Sequence, residues 1–168
     1  SGVSDWHPNY YNVAQYGPDC EVFITLKASP TTQCIIGVRV GGTLSNPNSY
    51  GFNANGGGSG VHKILRVDNG TDTQLGATFN QTLAVGDSIG ISAIGSTISA
   101  YYKPSGGSWT LLTSRTDTTY SSAGYLGLES EIGGWKCDDF TGGTASGTSA
   151  ATTLSPVSYT HLRAHETD

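Results

Sequence analysis

Apolar residues recur at every second position in short runs, and turn-forming residues separate the runs. In Cys20–Ala28, Cys20, Val22, Ile24 and Leu26 share one face, while Glu21, Phe23, Thr25 and Lys27 share the other. In Cys34–Val40, Cys34, Ile36, Val38 and Val40 point one way, and Gly37 and Arg39 the other. A period of two is a strand with one buried face and excludes an amphipathic helix over the same residues. Residues 41–60 are rich in Gly and Asn and read as loop, a short strand around Tyr50-Gly51-Phe52, and loop. Val61–Val67 is the next strand, and Asp68-Asn69-Gly70-Thr71 is a hairpin signal because Asn-Gly tolerates the positive φ of tight turns. Thr73–Gly76 returns, Ser88–Ile94 and Thr97–Lys103 pair across Gly95-Ser96, and Trp109–Arg115, Tyr125–Glu131 and Trp135–Phe140 complete about ten strands. Strands at this spacing without a helical period imply an all-β chain, a sandwich or a barrel.

Length and composition narrow the partners. The chain has 168 residues, enough for one core. Gly numbers 24, Ser and Thr together 41, and charged residues are 12%. The 8 basic residues are scattered, and the net charge is −5. No basic stripe is present, which argues against nucleic acid. No apolar run approaches ~18 residues, so no membrane insertion is expected, and no secretory signal region is visible. Cys20, Cys34 and Cys137 lack C-x-x-C spacing. One disulfide with a free thiol and three buried thiols both fit an odd count. Low charge with abundant Ser, Thr and Tyr leans towards an extracellular, cell-surface or virion setting. Residues 1–18 read poorly as strands and are expected to be what remains of an opening segment. The globular body is expected over 19–143, a flexible Gly/Ser/Thr linker over 144–155, and a tail over 156–168 (PVSYTHLRAHETD) that has the look of cloning or adapter sequence.

The order and spacing of several short motifs carry a resemblance. They are the Glu21–Leu26 strand, Ile64-Leu65-Arg66-Val67-Asp68-Asn69-Gly70, Gly86-Asp87-Ser88-Ile89-Gly90, and Gly95-Ser96-Thr97-Ile98-Ser99-Ala100-Tyr101. Trp109-Thr110-Leu111-Leu112, Gly124-Tyr125-Leu126-Gly127-Leu128 and Asp138-Asp139-Phe140 continue the series. Asp19–Gly143 resembles the concanavalin A-like lectin/glucanase superfamily, in its laminin-G-like jelly-roll branch. The resemblance implies a jelly roll, a two-sheet antiparallel β-sandwich. It leaves the activity open, because that superfamily holds lectins, adhesion modules, virion proteins and glycosidases.

Candidate chemistry is sparse. Glu129 and Glu131 are two apart on a strand, about 6.5–7 Å between Cα atoms, and the third acid of the resembling glucanases is absent. A catalytic role is therefore not expected, and no cofactor is required. Asp138 and Asp139 are hard-oxygen candidates for calcium. Alternation places Tyr101, Tyr125, Phe23, Arg39 and Glu129 on outward faces, and Trp109 beside a turn. Exposed aromatics with polar neighbours suit stacking against sugar rings, and Tyr101 and Tyr125 are expected to share a sheet. The expectation is a non-catalytic carbohydrate-binding or adhesion module of a larger surface protein, with glycan or polysaccharide and neighbouring domains as partners. The alternative is a structural or decoration module of a virion or other surface assembly, and a glycoside hydrolase or lyase of the same fold comes third.

Overall fold

A computed structural model describes residues 6–56, 60–131 and 135–147, with the backbone alone for 6–13 and 131. Eleven strands are present among them: β1 (Trp6–Tyr16), β2 (Cys20–Leu26), β3 (Gln33–Thr43), β4 (Asn46–Asn55), β5 (Val61–Asp68), β6 (Thr71–Asn80), β7 (Ser88–Ile94), β8 (Thr97–Lys103), β9 (Thr110–Thr116), β10 (Gly124–Glu131) and β11 (Cys137–Thr144). They form a six-stranded sheet, β1-β10-β3-β4-β5-β6, and a five-stranded sheet, β11-β2-β7-β8-β9. All strand pairs are antiparallel. The two sheets pack face to face as a sandwich.

The inward positions read from alternation form the core. Cys20, Val22, Ile24, Leu26, Cys34, Ile36, Val38, Ile89, Ile91, Ile98 and Leu126 are buried in one cluster with Tyr50, Phe52 and Ile64. Leu128 packs at the margin of that cluster, half-buried. Asn69 and Gly70 both adopt positive φ, 50° and 79°, as the β5–β6 hairpin requires. One end of the sandwich is closed by a polar network. Tyr50 OH donates to Asp117 Oδ1 at 2.6 Å, and Arg66 Nη1 donates to Asp117 Oδ2 at 2.8 Å. Burial pushes the Asp117 carboxyl up, but hydrogen bonds from Tyr50, Thr119 and Arg66 outweigh it and hold the pKa down to about 2.

Three sequence expectations change. Residues 6–16, within the segment read as poor strand, form β1, which pairs with β10 alone. Pro8 is tolerated there because an edge strand leaves N–H groups unpaired. Residues 41–60 hold little loop: β3 runs to Thr43 and β4 starts at Asn46, so the two make a long hairpin. Val40 does not share the face of Val38. Arg39 has φ 52°, and β3 carries an extra residue there relative to both β10 and β4. This β-bulge reverses the alternation and brings Val40 onto the outer face beside Gly37. The expected tail at 156–168 and the linker from residue 148 onward lie outside the described residues.

Candidate functional site

The predicted binding residues fall on opposite surfaces of the sandwich. Phe23, Gly90, Tyr101 and Leu111 stand in one cross-strand row on the outer face of the five-stranded sheet. Phe23 lies flat over Gly90, where an added Cβ would meet its Cδ1 at 2.1 Å. Its ring centroid is 4.8 Å from that of Trp109, and Lys103 Nζ lies 5.9 Å from the Trp109 ring centre. Phe23 is 8% and Tyr101 5% exposed. These rings pack on one another and leave little face for a ligand, which corrects their reading as exposed aromatics.

Tyr125 and Glu129 lie on the outer face of the six-stranded sheet. The expectation that Tyr101 and Tyr125 share a sheet is therefore overturned. The connection between β9 and β10 passes from one sheet to the other, so their aromatics cannot form one platform. Arg39 is also reassigned. It is 4% exposed, and it donates to Pro18 O (2.7 Å), Tyr120 O (2.7 Å) and Gly95 O (2.8 Å). With Asp19 Oδ1 at 3.6 Å, it ties three loops together.

The six-stranded sheet's outer face holds a more promising arrangement. Gly127, Gly37 and Gly51 are cross-strand partners on β10, β3 and β4. They make a low lane in which other side chains lie down: Ile35 Cγ2 covers Gly51, and Val40 Cγ2 stands over Gly37. The result is a shallow, open depression lined by Ile35, Gly37, Val40, Ser49, Val67 and Glu129, among others. Its floor is backbone and its walls are mainly apolar, with one hydroxyl and one carboxyl. Burial first, and the Asp72 charge second, push the Glu129 carboxyl up. Burial also pushes Asp72 up, opposed by Lys63. Asn53 lies on the same face, 2% exposed, and donates to Gln33 Oε1 at 3.1 Å.

A second hollow opens at one end of the sandwich between Pro30, Asn55, Gly56, Gly60, Gln81, Thr82 and Leu83. Beneath its Asn55 and Gln81 lies His62, fully buried beside Phe52 and Phe79. Asn55 N–H donates to Nδ1 at 3.0 Å, so the ring proton sits on Nε2 and is donated to Gln81 O at 2.7 Å. Burial lowers its pKa, against the Gln81 bond. A folded-state pKa below 6.5 means that the neutral ring stabilises the fold above pH 6.5. That stability is lost as pH falls through the lowered value. Relative to His62→Gln, the wild type is expected to lose stability between pH 6.5 and 5, measured by urea unfolding at each pH. A constant difference across that range would contradict the buried neutral ring.

The remaining candidates are dispersed. Asp138 and Asp139 are exposed, with a β-bulge at Asp139 (φ 52°) and Lys27 Nζ 3.7 Å from Asp138. Among the described residues no three or more His, Cys, Asp or Glu side chains gather as metal ligands. A pair partly neutralised by lysine is a poor fit to calcium, which takes six to eight oxygens. Cys20, Cys34 and Cys137 are all free thiols. The Glu131 side chain lies outside the described residues.

The sequence matches no known family profile and no curated protein. Solved structures do match. A carbohydrate-binding module, CBM66 from Bacillus subtilis, aligns with TM-score 0.57 at 16% identity over 82% of this chain and 77% of that one. The Y16S variant of congerin II aligns with TM-score 0.53 at 12% identity, over 82% and 99%. Sheep galectin-11, solved with glycerol, aligns with TM-score 0.51 at 7% identity, over 84% and 99%. The chain is a jelly-roll β-sandwich. At these identities the likeness is one of fold.

Proposed function

We propose that the chain is a non-catalytic carbohydrate-binding module that takes a glycan on the outer face of its six-stranded sheet. The observation that carries this reading is the depression floored by Gly37 and Gly127 and walled by Ile35, Val40, Ser49, Val67 and Glu129. A concave, mainly apolar surface with few fixed polar groups is the usual form of a small-ligand site. The likeness of fold adds support, since one of the matching structures is a carbohydrate-binding module. Tyr125, cross-strand from Val40, is half-buried on the same face and within the proposed site. The hairpin Ile64–Gly70 and the motifs around it favour the laminin-G-like branch, and the setting we favour is extracellular, at a cell surface or on a virion.

Among the described residues Glu129 is the one carboxylate lining the depression. Retaining glycosidases need a second carboxyl about 5–5.5 Å away, so the reading is binding without turnover. A shallow site with one carboxylate implies weak monovalent affinity, with Kd on the order of 0.1–1 mM. Adhesion would then come from several copies acting together. Titration of the whole chain against a panel of neutral oligosaccharides tests this. Binding in that range, lost in a Tyr125→Ala/Glu129→Ala double variant, is expected. Absence of binding below about 10 mM for every glycan would overturn the reading and favour a structural module of a surface assembly.

A further inference from the structure

We infer that the depression is a seat for the N-acyl group of an acetamido sugar. The inference rests on the carbohydrate-binding reading and names the sugar class it selects. Its first ground is shape. None of the described residues lining the depression is aromatic, so the flat face of a sugar ring finds no stacking partner inside it; Tyr125 stands outside the hollow, beside Val40. What the site offers is a small apolar hollow over bare backbone, because Gly37 and Gly127 carry no Cβ and Ile35, Val40 and Val67 wall them in. Such a hollow takes a compact apolar group such as a methyl. A hydroxyl placed there would lose water without a partner.

The second ground is polarity. Glu129 is half-buried at the margin of the hollow, and an ionised carboxylate only accepts hydrogen bonds. Its partner must therefore donate. Ser49, 7% exposed on the opposite side, both donates and accepts. The register parts Ser49 from Glu129 by two strands and four residues, about 16 Å between Cα atoms on a flat sheet, so one acetamido group meets Glu129 alone: its amide N–H donates to Glu129 and its methyl enters the hollow beside it. A carboxylated or sulfated sugar is disfavoured, since the Glu129 carboxylate at the margin would repel it. A free amino sugar satisfies Glu129 but leaves the apolar walls without a partner.

Gly37 supplies the test. Its φ is not in the left-handed region, and an added Cβ would meet Val40 Cγ2 at 3.3 Å and nothing closer. Gly37→Ala therefore fills the hollow from its floor with a small shift of Val40. The probes are N-acetylglucosamine and N-acetylgalactosamine against glucose, galactose and the matching free amino sugars, titrated into the whole chain and followed by NMR. Methyl burial and a charge-assisted amide hydrogen bond together predict a preference of at least about tenfold, or 1.4 kcal/mol, for an acetamido sugar over its hydroxyl counterpart. Gly37→Ala is expected to reduce that preference to less than about twofold at an unchanged melting temperature. If Gly37→Ala melts early, Val67→Ile adds one methylene to the wall and reads the same effect. Equal affinity for acetamido and hydroxyl sugars, or a preference that survives both variants, overturns the inference and leaves the carbohydrate-binding reading standing. Failure of every sugar in the panel to bind overturns both.

Discussion

Arg39→Ala is expected to destabilise the fold by about 3–5 kcal/mol, a size set by leaving buried charged-network partners unpaired. The guanidinium is almost fully enclosed and donates to three backbone carbonyls, Pro18 O, Tyr120 O and Gly95 O. These belong to the β1–β2 turn, the β9–β10 crossover and the β7–β8 turn. Removing the side chain strands three acceptors and frees Asp19, which stays bonded to Gly95 N–H at 2.8 Å. Arg39→Lys should recover little, because one ammonium cannot reach three acceptors set out for a planar fork. Equilibrium urea unfolding measures both variants. A loss below about 1 kcal/mol for Arg39→Ala would show that the three loops hold without it.

Leu126→Ala is expected to cost about 2–5 kcal/mol, towards the upper end. Leu126 reaches from the six-stranded sheet to the five-stranded one. Its Cδ1 lies 2.6 Å from where a Cβ on Gly142 would stand. At that point the facing surface is the Gly142 backbone, which offers no side chain to fill the space. Gly142→Ala should not repair it, because the new methyl would also meet Glu21 O at 2.4 Å. A loss under about 1 kcal/mol for Leu126→Ala would mean that the sheets close on the gap.

The sequence made the strands and their inner faces legible because burial on one side of a strand writes a period of two. Where that period is reversed, the reading stops. The extra residue at Arg39 carries no Gly or Pro to announce it, and a non-glycine residue holds the positive φ. Val40 was therefore assigned inward and Arg39 outward, each the reverse of its environment. The assignment of strands to sheets was equally hidden. Alternation says which residues share a face, but residues between β9 and β10 hold no sign that the chain changes sheets there. This separated Tyr101 from Tyr125. Outwardness also proved distinct from exposure, since Phe23 and Tyr101 point away from the core and bury each other over Gly90. The signal for the depression was present: Gly37 and Gly127 occupy outward positions inside strands, where glycine often marks a close approach. Their alignment with Gly51 needed the register, which no single strand contains.

The central claim is that the glycan site lies on the outer face of the six-stranded sheet. Amide chemical-shift mapping on the ¹⁵N-labelled chain, during titration with the tightest sugar from the panel, tests it directly. The expected result is a set of shifts at Gly37, Ser49, Val67, Gly127 and Glu129, with Tyr101, Trp109 and Leu111 unmoved. Shifts gathered at Tyr101, Trp109 and Leu111, or around Pro30, Asn55 and Gln81, would contradict it.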